Sequence, residues 1–152
     1  MNTKKSIQVI NTLIEINNDR IEGYQTASAE TTDNALLSLF HHFISSSNQC
    51  REELAAEVTQ LGGIVEAGTS QDGKFFRPWA ELRAALNNND RKSVLKACEY
   101  GEDKVLDGYN NILTNDVDFL TIEQHKMIYK QYVLLKSAHD QIRSVRDMEL
   151  TY

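Results

Sequence analysis

A single proline in 152 residues, Pro78, leaves this chain with almost nothing to break a helix. Only seven glycines accompany it, so the apolar periodicity can run for many turns without interruption. The spacing of three and four that marks an amphipathic helix recurs in four long segments. The first runs from about Lys4 to Glu30, with Ile7, Ile10, Ile14, Asn17, Ile21, Tyr24 and Ser28 inward. The second covers about Ala35 to Leu61, carrying Leu36, Phe40, Phe43, Ser47, Cys50, Leu54, Val58 and Leu61 on one stripe. Capping residues at Thr31-Thr32-Asp33-Asn34 separate the two, and Gly62-Gly63 ends the second. The third spans about Arg91 to Leu113, with Cys98, Glu102, Val105, Tyr109 and Ile112 on one face. The fourth spans Asp118 to Asp147, with His125, Ile128, Tyr132, Leu135, His139 and Ile142 on its stripe.

The connections decide the expected topology. Breaks of a few residues make the first and second helices, and the third and fourth, antiparallel neighbours. A connection of about 25 residues between Gly63 and Asp90 can run the length of a bundle, which makes the second and third helices parallel. The expectation is therefore an all-α, ferritin-like four-helix bundle, one domain over residues 1–152, with a long crossover. That crossover carries a short amphipathic helix predicted from Pro78 to Leu86, proline suiting its first turn. Trp79, with Leu82 and Leu86 at helical spacing, is expected to anchor it to the bundle.

Composition excludes several functions. A net charge of −6 with scattered Lys and Arg argues against a nucleic-acid surface. No apolar run approaches the length of about 20 residues that a membrane span needs. The N-terminus has no apolar signal core or small-residue cleavage site, which points to the cytoplasm. The acidic polar face of the first helix disfavours an anionic membrane. Cys50 and Cys98 are isolated and read as buried free thiols. Phosphate-loop, dinucleotide, zinc-protease and nucleophile-elbow motifs are all missing.

Two polar residues stand where an apolar side chain is expected. Glu102 and His139 lie on the inward stripes of the third and fourth helices, suggesting a buried hydrogen-bonded pair or the remains of a metal site. Counting from the turn at Asn115-Asp116 sets them roughly ten residues apart in level, or about 15 Å of rise, which argues against direct contact. A di-iron bundle needs a Glu on each of two helices and Glu-x-x-His on the other two. Here the fourth helix reads Lys136-x-x-His139, and no histidine of the second helix is in register. His41 and His42 lie off its stripe. The ligands available are Glu102, His139 and Glu53, and a structural role for Glu102 and His139 is preferred to ligation.

Several short runs, in order, resemble a known family. They are Asp19-Arg-Ile-Glu-Gly-Tyr24, Glu53-Leu54 before Leu61-Gly62-Gly63, Arg77-Pro-Trp79, Gly101-Glu102-Asp103 with Tyr109, and His139-Asp140-Gln-Ile142 followed by Arg146. Over about Ser6 to Met148 the chain resembles an uncharacterised bacterial group of small ferritin-like four-helix-bundle proteins, described as a domain of unknown function. The resemblance implies a ferritin-like bundle without an established activity. The family's recurrent polar positions fall on Asp19, Tyr24, Glu53, Glu102, Asp103, His139 and Asp140, short of a six-ligand di-iron set. The expected function is a non-catalytic, self-associating bundle acting as a binding or stress-related accessory protein without a cofactor. The alternative is a degenerate iron- or manganese-binding site, and a small-ligand carrier is a third reading.

Overall fold

A computed structural model describes residues 2–69 and 73–151. Its elements are α1 (Thr3–Glu30), α2 (Asn34–Gln60), α3 (Gly73–Asn87), α4 (Arg91–Asn115) and α5 (Ile122–Thr151), with a 3-10 turn at Val117–Phe119. No strand occurs among the described residues. Each long helix starts on the kind of residue its sequence offers. Asn2 caps α1 by accepting from the Lys5 amide, Asp33 caps α2 through Ala35 and Leu36, and Asp90 caps α4 through Lys92. At the other end of α2, Gly62 adopts a φ of 80°, a left-handed geometry that stops the helix where the double glycine was expected to.

The stripes of the first three long helices are those read from the sequence. Phe40, Phe43, Cys50, Leu54 and Val58 of α2 are fully buried, as are Ile10, Ile14 and Tyr24 of α1 and Cys98 and Tyr109 of α4. Helix α1 is the hub, packing against α2, α3 and α4, while α5 packs mainly on α4. Cross-helix pairs run in opposite senses along the chain. Arg20 meets Glu102 and Asn17 meets Tyr109 between α1 and α4. Gln124 meets Glu57 and Gln131 meets Glu53 between α2 and α5. Both helix pairs are thus antiparallel.

Two expectations need correction. The crossover helix starts at Gly73, not Pro78, and holds the proline in its interior. Helix α5 starts at Ile122 after the 3-10 turn and is rotated from the expected stripe. Gln124, Ile128, Gln131, Leu135, Ala138 and Ile142 face inward, while His125, Tyr132 and His139 lie at the margins. The two glutamines cause the rotation, because each has polar work inside. Gln124 closes a reciprocal cap, its Oε1 accepting from the Thr121 amide while its own amide donates to the Thr121 hydroxyl. Gln131 spans three helices, as described below.

Trp79 anchors the crossover as expected, at 9 % exposure. Its indole lies between two glycines. A Cβ at Gly23 of α1 would stand 2.7 Å from Trp79 Cδ2, and one at Gly101 of α4 would stand 2.9 Å from Cη2. Absence of a side chain at both positions is what lets an aromatic ring slide between two helices. The ring then meets Tyr24 edge-on with centroids 5.0 Å apart, and Tyr24 in turn stacks on Phe40 at 5.3 Å. The three segments Gly23-Tyr24, Trp79 and Gly101-Glu102, scattered in sequence, form one contact. Phe75 and Phe76, aromatics of the crossover sequence that can pack across a bundle face or end, lie outside the described side chains.

Candidate functional site

The centre of the bundle holds a cation. Arg20 of α1 is fully buried, and every described partner of its guanidinium is an acceptor. Nε donates to Glu102 Oε2 at 2.9 Å and Nη2 to Oε1 at 2.6 Å, so the carboxylate of α4 is gripped at both oxygens. Nη1 donates to the Phe43 carbonyl and to the hydroxyls of Ser46 and Ser47 on α2, at 2.8–2.9 Å. The guanidinium lies over the faces of Phe43 and Tyr24, 5.2 and 5.6 Å from their centroids. Burial by itself would lower the Arg20 pKa, but the Glu102 carboxylate overrides it and holds the group above its ordinary value. Burial, then the same carboxylate, push the Tyr24 hydroxyl well above its usual range.

One turn along, a second hydrogen-bond network joins these helices to α5. The Tyr109 hydroxyl accepts from Asn17 Nδ2 at 2.9 Å and donates to Gln131 Oε1 at 2.7 Å. Gln131 Nε2 donates to the Cys50 carbonyl and, at 2.9 Å, to Glu53 Oε1. Residues of α1, α2, α4 and α5 are thereby tied at one level, with Asn17 Oδ1 a buried oxygen of the network that has no hydrogen-bond partner among the described residues.

The candidate site residues are distributed differently from the expectation. Glu102 is buried but pairs with Arg20, not with His139. His139 is 14 % exposed, and its Nε2 stands 2.6 Å from Asp103 Oδ1, at the rim between α4 and α5. Its Nδ1 stands 3.5 Å from Asp140. Glu53 lies at the margin of α2 and accepts from Gln131. These three residues therefore have three separate partners, and among the described residues no group of three or more His, Cys, Asp or Glu side chains could hold a metal ion. The donor set does not fit the di-metal centre that a ferritin-like inheritance implies. Glu102, the inward carboxylate of α4, is already neutralised by a guanidinium, and a dication beside Arg20 would meet a fixed positive charge.

Arg20 is the residue that sequence reasoning missed. Its position was legible, since it stands three past Asn17 and four before Tyr24 on the stripe of α1. Its burial was not, because a lone arginine is placed in solvent unless its carboxylate is known. That carboxylate is 82 residues away. Asp19, one of the recurrent polar positions, is also buried, at 4 % exposure.

The thiols flank this centre. Burial pushes the Cys50 thiol up to about 11 against the opposing pull of Arg20, and burial raises Cys98 further. Neither should react with a disulfide reagent such as dithionitrobenzoate at neutral pH in the folded protein. Both should titrate once urea unfolds the chain. Fast labelling of the native protein would contradict the burial of both groups.

Residues 5–115 match the family described as Domain of unknown function (DUF2383). The chain belongs to this family. The match spans α1 to the end of α4 and so includes Arg20, Tyr24, Trp79 and Glu102. Helix α5, with Gln131 and His139, follows the matched region. No curated protein matches the chain.

Proposed function

We propose that this DUF2383 protein is a non-catalytic, ferritin-like four-helix bundle that acts as a binding protein, with an ion pair in place of a metal centre. The topology rests on the senses of the helix pairs. Helices α1 and α4 are antiparallel, as are α2 and α5, and the three-residue break between α1 and α2 makes that pair antiparallel too. Helices α2 and α4 then run the same way, with α3 on the connection between them, which is the crossover of a ferritin-like bundle.

The observation that carries the functional reading is the Arg20 guanidinium. It is held by Glu102, the Phe43 carbonyl and two serine hydroxyls, so the inward carboxylate of α4 already has its countercharge. A fixed organic cation supplies the countercharge without redox chemistry or an open coordination position. The purified protein should therefore carry no stoichiometric iron or manganese. Anaerobic Fe(II) followed by air should give no ferric absorbance above the protein-free rate. Uptake of two irons per chain, abolished by Glu102→Ala, would overturn the reading.

A further inference from the structure

Helix α5 is the longest of the four long helices and the least buried. Among its described residues Gln124, Ile128, Gln131, Leu135, Ala138 and Ile142 are buried, against eight residues in α2, ten in α4 and thirteen in α1. Three of the six are large and apolar; the others are two amides and an alanine. The helix packs on α4 and, less closely, on α2. With so little apolar surface in the core, it is held down less by burial than its neighbours are.

A polar row fastens it instead. Gln124, Gln131, His139 and Arg146 follow one another at seven, eight and seven residues, about two helical turns each time. Each meets a carboxylate of a neighbouring helix. Gln124 donates to Glu57 and Gln131 to Glu53, both on α2, at 3.2 and 2.9 Å. His139 Nε2 stands 2.6 Å from Asp103 and Arg146 donates to Glu99, both on α4. Glu53 and Glu57, like Glu99 and Asp103, are four residues apart, so each pair lies on one side of its own helix. The first half of α5 is thereby clasped to α2 and the second half to α4. The turn that leads into α5 is fixed separately: the Ser6 hydroxyl of α1 donates to the Phe119 carbonyl at 2.6 Å, and Leu120 is buried. The helix can therefore leave its seat by swinging about Thr121 while the turn stays in place.

We propose that α5 is a latch, a helix that opens from α2 and α4 as one unit while the other helices stay packed, and that the four carboxylate clasps set how often it does so. Opening breaks few apolar contacts. It leaves in place the Arg20–Glu102 pair of α1 and α4 and the Trp79 ring between Gly23 and Gly101. It uncovers the Tyr109 hydroxyl and the Cys50 carbonyl, to which Gln131 is bonded in the closed state, in a groove edged by Glu53, Glu57, Glu99 and Asp103. The inference is independent of the metal-free reading, since neither Arg20 nor Glu102 takes part in a clasp.

The test is hydrogen exchange of the whole chain in low urea, read by mass spectrometry on peptides from each helix. Amides of residues 122–148 should exchange together, with protection about tenfold or more below that of α1. Their urea dependence should be shallower than that of α1, because opening one helix exposes less surface than global unfolding. Arg146→Gln and Glu99→Gln should each raise exchange in α5 about threefold and leave α1 and α2 unchanged. The double variant should do no more than either alone, since both remove the same clasp. Protection in α5 equal to that of α1, exchange graded inward from the C-terminus instead of uniform, or clasp variants that raise exchange in every helix alike would each overturn the proposal.

Discussion

Replacing Arg20 with alanine should destabilise the fold by about 3–5 kcal/mol, because it strands the Glu102 carboxylate in the core without a countercharge. Two serine hydroxyls and the Phe43 carbonyl lose a donor at the same time. For a chain of this length that corresponds to a fall in Tm of about 10 °C or more. Glu102→Ala should cost a similar amount for the mirror reason, leaving a buried guanidinium. The decisive variant is the double replacement Arg20→Met with Glu102→Met. Removing both charges together abolishes the desolvation cost of each, so the double variant should recover most of the loss, in contrast to two independent deletions. Urea denaturation of the wild type, the single variants Arg20→Met and Glu102→Met, and the double variant measures the coupling directly. Additive single losses would mean that the pair is not the unit its geometry describes.

Trp79→Ala should cost about 3–5 kcal/mol, since a large buried ring leaves a cavity between three helices. The more discriminating result concerns Gly23. Alanine is favoured over glycine in a helix interior by about 1 kcal/mol, so Gly23→Ala ought to stabilise α1. In the native protein its Cβ would approach Trp79 Cδ2 to 2.7 Å, and the ring cannot retreat, because Gly101 of α4 is against its far edge. Gly23→Ala should therefore destabilise the wild-type protein by about 1–3 kcal/mol through overpacking. In a Trp79→Ala background the same substitution should become stabilising. A sign that stays the same in both backgrounds would show that the ring is not wedged between the glycines.

How much of this was legible can be argued from individual residues. Cys50, Leu54 and Val58, or Cys98, Val105 and Tyr109, announce their burial by spacing alone, since a 3.6-residue period admits one apolar face. Trp79 announced its role because one large aromatic in a long connection has few other ways to leave water. The rotation of α5 was hidden for the opposite reason. Gln131 and Ala138 define a stripe about 100° from the one through Tyr132 and His139, and hydropathy cannot tell which of Gln131 and Tyr132 turns inward until Tyr109, Cys50 and Glu53 supply Gln131 with partners.

The sequence by itself determined that the chain is helical, where each long helix begins and ends to within a few residues, and which side of α1, α2 and α4 meets the core. Those features depend on interactions within about four residues: caps, breakers and the period of apolar side chains. Only the tertiary structure decided that Glu102 belongs to Arg20, that His139 belongs to Asp103, and that Gly23 and Gly101 make room for one indole. A buried charge selects its partner by distance in space. Arg20 and Glu102 stand 82 residues apart, and no local pattern encodes a contact that exists only once α1 and α4 have packed together.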